Sequence, residues 1–321
     1  VFCIKNLCIY LFKELFNRKS MKSKNNFLNI KKNKVGYIYA FFCIFAWSFI
    51  PVISRFGQIT LDFYQLLFWS NIISLFCLGL ILYLSRGLKF DASLKINHYL
   101  YNLFLGSLGC ALYYLFLYYG YYEGNSIEVL ILQYSWPLQM ILLGSIFMKE
   151  KLDPFKIIAV FLGFTGILII ITTGDINQIR FTGINVSLSV LLGAFCFALF
   201  SILSKKSEVE IFQFSFLVFL GGTITSTLAL GFFSTFQLPS KKELLPIIIN
   251  GIFINGVSYI FWLKALKSIS VTNSAILVFF TPVLSLIWII LFFKEQFFIS
   301  YIFGGSIVLI SSLYCLKEKN S

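Results

Sequence analysis

One acidic residue lies where an acid is costly. Of the 13 Asp and Glu residues, Glu128 is the one that falls inside a long apolar run rather than in a loop, a tail or a run end. A buried carboxylate needs a cation, a proton or hydrogen-bond donors. Glu128 could therefore bind a substrate ammonium, carry a coupling proton, or form local hydrogen bonds that cap a helix near the membrane surface.

Two stripes of polar side chains have the spacing of one helix face. The first comprises Glu128, Leu132, Ser135 and Gln139, with Trp136 at its edge, and the second comprises Ser274, Val278, Thr281 and Ser285. A polar stripe in lipid faces the protein interior or water, so we expect both to line a substrate cavity. Hydroxyls that only bond between helices remain the alternative. Further interior candidates are Trp47, Ser48, Trp69, Asn71, Asn255, Tyr259 and Trp262.

A proline lies within each stripe. Pro137 follows Ile127, the start of its apolar run, by ten residues, which is about 15 Å of helix and half of a membrane core about 30 Å thick. Pro282 lies ten residues into its own run. A proline inside a helix removes one backbone hydrogen bond and exposes a carbonyl, which membranes tolerate where protein or a cavity covers the break. We expect a helix break at both prolines, with or without ligand contact.

Catalytic chemistry is poorly supported. The single histidine, His98, lies in a polar loop, and the seven cysteines show no C-x-x-C spacing. These counts disfavour a metal site, a disulfide framework and a histidine-centred triad. The phosphate-binding pattern G-x4-G-K is absent, so we expect no ATP hydrolysis by the chain itself. We expect no cofactor and no enzyme activity, since an intramembrane enzyme would need clustered His, Asp or Cys ligands or a serine–lysine pair.

The elements that position these residues are membrane helices. Hydrophobic residues make up 59% of the 321 residues and charged residues 12%, with a mean hydropathy of +0.87. Soluble domains are about 45–50% apolar and about 25% charged, so a soluble enzyme, a disordered tail and a nucleic-acid binder are disfavoured. We predict an all-α integral membrane protein with ten spans, at 36–54, 64–84, 100–122, 127–147, 155–173, 183–203, 212–232, 245–264, 272–293 and 297–316.

Basic residues predict the orientation of these spans. With the N-terminus in the cytoplasm, 21 of the 26 Lys and Arg residues fall on the cytoplasmic side. The positive-inside rule therefore places both termini in the cytoplasm. Residues 1–34 form a basic cytoplasmic tail, of which 1–20 precede Met21. That first segment is either an interfacial helix or an extension that the cell does not use, with Met21 as the start.

The chain also repeats itself. Pro137 and Lys149-Glu150 recur as Pro282 and Lys294-Glu295 at an offset of 145, and Ser54-Arg55 recurs as Ser204-Lys205 at an offset of 150. We predict one five-span repeat over 35–173 and another over 183–316. Five is odd, so the repeats must enter the membrane in opposite directions. Inverted repeats are typical of alternating-access transporters, whose sites lie between the repeats.

The fourth and ninth runs resemble a known family. The pattern Ile127-Glu128-Val129, continuing to Tyr134-x-Trp136-Pro137, and the segment Phe279-Phe280-Thr281-Pro282 are similar to spans of the drug/metabolite transporter superfamily with paired EamA-type repeats. The first pattern is closest to the aromatic amino-acid exporter branch. The resemblance covers about residues 35–316. It implies a ten-helix carrier of the bacterial inner membrane that exports amino acids, and sometimes cationic drugs.

The expected partners are a small-molecule substrate and the lipid bilayer. The leading interpretation is export of aromatic or other neutral amino acids, or of similar small amphipathic solutes. The alternatives are a carrier of another metabolite, such as S-adenosylmethionine, and efflux of cationic drugs. Phosphorylated substrates are disfavoured because the centres of the runs have essentially no Arg or Lys. An intramembrane enzyme or a scaffold is less favoured, and the sequence makes no prediction of oligomeric state.

Overall fold

The computed structural model describes residues 26–87, 95–151 and 153–316, and within these ranges every regular element is a helix, with no strand. The predictions for residues 1–20 and for most of the basic tail lie outside the described residues, as do Lys89, Lys317 and Lys319, three of the 21 basic residues predicted on the cytoplasmic side. The all-helical expectation is confirmed for the part of the chain that is described.

Within those same ranges, nine helical segments are long and apolar enough to cross a membrane, and a tenth apolar helix is shorter. We name them spans 1 to 10 in chain order: Lys34–Gly57, Phe63–Ser85, Ile96–Glu123, Ser126–Met148, Pro154–Ile171, Ile184–Lys206, Ile211–Phe233, Lys241–Ser268, Val271–Phe293 and Ile299–Leu316. A short 3₁₀ helix, Ile176–Gln178, lies between spans 5 and 6.

Three spans are interrupted close to a proline. Span 1 lies within helices Asn26–Trp47 and Ile50–Gly57. Span 4 consists of Ser126–Gln133 and Trp136–Met148, and span 9 of Val271–Val278 and Phe280–Phe293. Pro51, Pro137 and Pro282 lie in the first turn of the second helix of each span. Proline has no N–H to donate to the carbonyl four residues earlier, so the regular hydrogen-bond pattern of the helix is interrupted at each of these positions.

Spans 3 and 8 each contain a wider turn in their middle. In span 3 a π-helix over Ser107–Leu112 separates the α-helices Ile96–Gly106 and Tyr113–Glu123. In span 8 a π-helix over Asn250–Val257 separates Lys241–Ile249 from Ser258–Ser268. Such π segments are rare and often occur at functional sites.

Spans 4 and 6 run in the same direction, and so do spans 1 and 9. At one end of spans 4 and 6, the Ser187 hydroxyl donates to Glu128 at 2.5 Å, and at the other Lys205 donates to Glu150 at 3.4 Å. Both residue numbers rise together, as they do for spans 1 and 9. There, Asn273 donates to the Tyr37 hydroxyl at 2.7 Å, and Arg55 contacts Glu295 at 3.4 Å.

Spans 4 and 9 run in opposite directions. The backbone N–H of Val271, the first helical residue of span 9, donates to both carboxylate oxygens of Glu150 at 3.0 and 3.1 Å. Glu150 follows the end of span 4 at Met148. The start of span 9 therefore lies beside the end of span 4, and Gly144 packs against Val271 there.

The backbones of spans 3 and 7 touch. A Cβ atom at Gly106 would lie 1.8 Å from the carbonyl oxygen of Val218, and one at Gly221 would lie 2.0 Å from that of Leu103. No side chain fits at either position without moving a helix. This close contact fixes span 3, which carries much of the wall of the cavity described next.

Candidate functional site

A cavity of about 550 Å³ opens among spans 1, 3, 4, 6 and 9, with the first residue of span 2, Phe63, at its border. This volume lies within the range of pockets that hold small molecules. None of its lining residues is Asp, Glu, Lys, Arg or His. Ten of them are aromatic: Trp47, Phe63, Tyr113, Tyr114, Tyr118, Tyr121, Tyr122, Tyr134, Trp136 and Phe197.

Span 3 supplies one wall of tyrosines. Tyr114, Tyr118 and Tyr121 are spaced by four and three residues, which places them on one helix face. The side chain of Gln133, from span 4, connects two hydroxyls of the same wall. It donates to the Tyr113 hydroxyl at 2.8 Å and accepts from the Tyr121 hydroxyl at 3.3 Å. The wall therefore offers hydroxyl and amide groups to a ligand without any full charge.

The floor of the cavity is a cluster of large rings. Trp136 packs edge-on against Trp47 and Phe197, with ring centroids 6.4 and 4.9 Å apart. Beneath this layer, Trp262 packs edge-on against Trp136 at 5.9 Å and donates to the Ser201 hydroxyl. The rings close the cavity at this level.

The structure brings some of the predicted site residues to the cavity. Trp47, Trp136, Thr281 and Ser285 all line it, as does Val278 of the second stripe. Pro137 and Pro282 are buried beside it, at the helix breaks expected from the sequence.

The other predicted residues lie elsewhere. Tyr259 and Trp262 are 1% and 0% exposed and pack behind the lining, and Tyr259 donates to the carbonyl of Gly109 at 3.2 Å. Ser135 donates to the carbonyl of Leu132 at 2.6 Å and accepts from Gln139 at 3.0 Å. The two polar side chains are therefore hydrogen-bonded to each other. None of these four is among the residues that line the cavity.

Glu128 is also outside the cavity lining. It lies in the first turn of span 4, is 1% exposed, and accepts hydrogen bonds from the backbone N–H of Thr182 at 2.7 Å and from the Ser187 hydroxyl at 2.5 Å. The Asn125 side chain caps the same helix end by accepting from Ile127. In this structure the protein itself supplies the donors that the buried carboxylate needs.

Sequence reasoning missed Gln133 and the tyrosine wall. The signal was present in the spacing of Tyr114, Tyr118 and Tyr121, but span 3 is so rich in tyrosine that no face of it stands out from composition. Gln133 is adjacent to the predicted stripe rather than on it.

The two ends of the helix bundle differ in the exposure of their ion pairs. The Lys205–Glu150 pair has side chains 19% and 22% exposed, whereas the Arg55–Glu295 pair has side chains 61% and 52% exposed. The cavity borders Ser54 and therefore reaches toward Arg55. Lys205 also donates to the carbonyl of Ile269 at 2.9 Å. The cavity thus lies toward the exposed pair, and the other end of the bundle is packed shut.

The described residues contain no group of three or more His, Cys, Asp or Glu that could hold a metal ion. The polar side chains among the lining residues carry hydroxyl, amide and indole N–H groups. These groups suit hydrogen bonding to a small solute rather than bond-making chemistry.

A bundle of membrane-length apolar helices around an uncharged, ligand-sized cavity defines the class: a multi-pass membrane transporter. Comparison with protein families gives the finer assignment. The EamA-like transporter family model matches residues 34–172 and again 185–316, and the chain belongs to that family. The expected membership of the drug/metabolite transporter superfamily is thereby confirmed.

Two relatives also carry the word transporter in their names. An uncharacterized transporter from the sor 3' region of Acidianus ambivalens is 28% identical over 206 residues, which cover 62% of this chain and 76% of the relative. The uncharacterized transporter YyaM of Bacillus subtilis (strain 168) is 24% identical over 164 residues. That match covers 47% of this chain and about half, 52%, of YyaM.

A solved crystal structure shares the fold. It aligns with a TM-score of 0.77 over 87% of this chain and 96% of the other, at 17% identity. At that identity the likeness supports the fold alone.

Proposed function

We propose that the protein is a secondary transporter of the bacterial inner membrane that exports aromatic or other neutral amino acids, or similar small amphipathic solutes, by alternating access. The observation that carries this proposal is the cavity of about 550 Å³ with ten aromatic and no charged lining residues. Such a lining favours a solute with a large apolar body and little net charge. It disfavours phosphorylated solutes, which need Arg or Lys partners.

The helix directions support two inverted five-helix repeats. Span 1 runs with span 9 and span 4 runs with span 6, while spans 4 and 9 oppose each other. It follows that spans 1 and 6, the first of each proposed repeat, run in opposite directions. The second match of the family model also begins just at span 6.

The ion pairs support alternating access between these repeats. Arg55 and Lys205 are repeat-related, and so are Glu295 and Glu150. Each basic residue contacts the acid of the other repeat. Here the Lys205–Glu150 pair lies at the closed end and the Arg55–Glu295 pair at the open end. If the Lys205–Glu150 end became exposed and the Arg55–Glu295 end became buried, the cavity would open to the opposite side of the membrane, as inverted repeats allow.

The test is counterflow in proteoliposomes. The panel is labelled phenylalanine, tryptophan, leucine, S-adenosylmethionine and a cationic dye, without ATP. We expect exchange of the aromatic amino acids. We expect Trp136→Ala, at the cavity floor, to reduce it strongly, and Phe147→Ala, 40% exposed in the same span, to leave it nearly unchanged. Exchange of only the dye or only S-adenosylmethionine would show that this solute, and not an amino acid, is the substrate. Exchange of none of the solutes would refute the proposal.

A further inference from the structure

Proline removes the regular hydrogen-bond donor of two backbone carbonyls at repeat-related positions. Pro137 has no N–H to donate to the carbonyl of Gln133, four residues earlier, and Pro282 has none for the carbonyl of Val278. Gln133 and Val278 are 145 residues apart, the offset of the repeat, and both line the cavity. Each proline therefore leaves a carbonyl without its regular helical donor at a residue that lines the cavity.

Both residues are also the last of a half-helix. Ser126–Gln133 ends at Gln133 and Val271–Val278 ends at Val278. The last carbonyls of a helix have no donor within that helix. Two such helix ends therefore border a cavity that has no acidic side chain among its lining residues.

A side chain at the same wall lacks a partner. Thr281 lines the cavity and is 7% exposed, and its Oγ1 atom is buried with no hydrogen bond to the described residues. Threonines in helices usually donate to the carbonyl four residues earlier, as Thr165 does to Phe161 at 2.8 Å. A buried hydroxyl without a partner is costly. Val278 and Thr281 lie on either side of the break in span 9, and both line the cavity.

We propose that the carbonyls of Gln133 and Val278, together with the Thr281 hydroxyl, bind the primary ammonium group of the substrate. A primary ammonium group has three N–H donors, and the two carbonyls and the hydroxyl would each accept one hydrogen bond from it. The apolar body of the substrate lies against Trp136 and Phe197, whose faces also attract a cation. This inference rests on the proposed transport function and narrows its substrates to primary amines with an apolar or aromatic body, amino acids included.

The first measurement compares three probes that share one ring. Purified protein in nanodiscs is titrated with phenethylamine, 2-phenylethanol and trimethylphenethylammonium, and binding is followed by tryptophan fluorescence, since Trp47 and Trp136 line the cavity. The second probe lacks the charge, and the third keeps the charge without N–H donors. We expect phenethylamine to bind at least about tenfold more tightly than either.

The second measurement repeats the titration on variants. Thr281→Val removes only the hydroxyl, and Pro137→Ala and Pro282→Ala return an N–H donor to the carbonyls. We expect each to weaken phenethylamine binding by about three- to tenfold and to leave 2-phenylethanol binding within about twofold, which also shows that the variant is folded. The matched controls are Thr165→Val, on the exposed face of span 5, and Pro154→Ala, in the first turn of that span.

The outcomes separate this site from the function itself. Equal binding of phenethylamine and 2-phenylethanol by a protein that exchanges amino acids would overturn the ammonium site and leave the transport proposal standing. Tight binding of trimethylphenethylammonium would assign recognition to the aromatic faces and also overturn the carbonyl site. Failure of every solute in the counterflow panel would instead refute the transport function on which the site rests.

Discussion

At the residue scale, Glu128 shows how an acid can be buried in a membrane protein without a cation. Its two hydrogen-bond donors, the N–H of Thr182 and the hydroxyl of Ser187, come from the segment that leads into span 6. The carboxylate thereby connects the start of span 4 to the start of span 6. Because hydrogen bonds to a charged group are stronger than neutral ones, this contact contributes to the alignment of two spans that border the cavity.

We expect Glu128→Gln to lower stability rather than substrate affinity. The amide keeps one acceptor but presents an NH₂ group to a second donor, which should cost about 1–3 kcal/mol. Thermal unfolding of the purified protein and phenylalanine counterflow measure the two effects. Glu123→Gln, at the exposed end of span 3, is the control. A selective loss of affinity for amine-bearing solutes would instead assign Glu128 to the substrate, and loss of pH-gradient-driven transport alone would make it a proton carrier.

The sequence identified some cavity residues and not others for a local reason. Thr281 and Ser285 lie after the break of span 9 on one regular helix, so their spacing predicted a common face. In span 4 the break at Tyr134 and Ser135 changes the helical phase, so that Gln133 and Trp136 line the cavity while Ser135 and Gln139 do not. Regular periodicity does not describe a stripe that crosses a helix break.

At the scale of the elements, the two ion pairs contribute differently to the packing of the spans. Glu150 accepts from Lys205 and also from the N–H of Val271, so it fixes the start of span 9 against span 4. The more exposed Arg55–Glu295 pair is joined by a single contact at 3.4 Å, and surface pairs contribute about 0–1 kcal/mol. The closed end of the bundle therefore depends on its acid more than the open end does.

We expect Glu150→Gln to open that end. Met140 lies between the cavity floor and Glu150 and is 0% exposed, so Met140→Cys in a cysteine-free background reports opening through its rate of maleimide labelling. Loss of the charged hydrogen bonds, about 1.5–3 kcal/mol, should raise that rate about tenfold or more. The repeat-related Glu295→Gln should change it little. An equal effect of both variants would show that Glu150 has no special role in closure.

At the scale of the whole molecule, the span directions agree with the distribution of basic residues. We expect both termini in the cytoplasm and the loops at Lys149-Glu150 and Lys294-Glu295 on opposite sides of the membrane. Single cysteines at positions 149 and 294 can be tested with an impermeant maleimide on intact cells. Position 294 should be labelled and position 149 protected until the cells are lysed. Equal labelling of both positions on intact cells would disprove the inverted arrangement.

The overall fold was largely readable from hydropathy, and its internal geometry was not. The predicted runs match the described spans to within about four residues at each end, because long apolar runs have few alternatives in a membrane. Which spans pack together was not predictable from one sequence, since the contacts of Gly106 with span 7 and of Lys205 with span 4 join residues far apart in the chain. The sequence did not predict the π segments of spans 3 and 8, because hydropathy carries no information about a change of helical phase.

Those π segments have a consequence for how span 3 tolerates changes in length. Each extra residue in a helix rotates everything after it by about 100°. Before Ser107–Leu112, span 3 turns Gly106 toward span 7, and after it turns Tyr114 and Tyr118 toward the cavity. Because a π turn holds one residue more than an α turn, removing one residue from that segment would let the helix close into a regular one and keep the tyrosines facing the cavity, whereas removing a residue elsewhere in span 3 would rotate them away. The π segment therefore sets the orientation of the half of span 3 that lines the cavity relative to the half that packs against span 7.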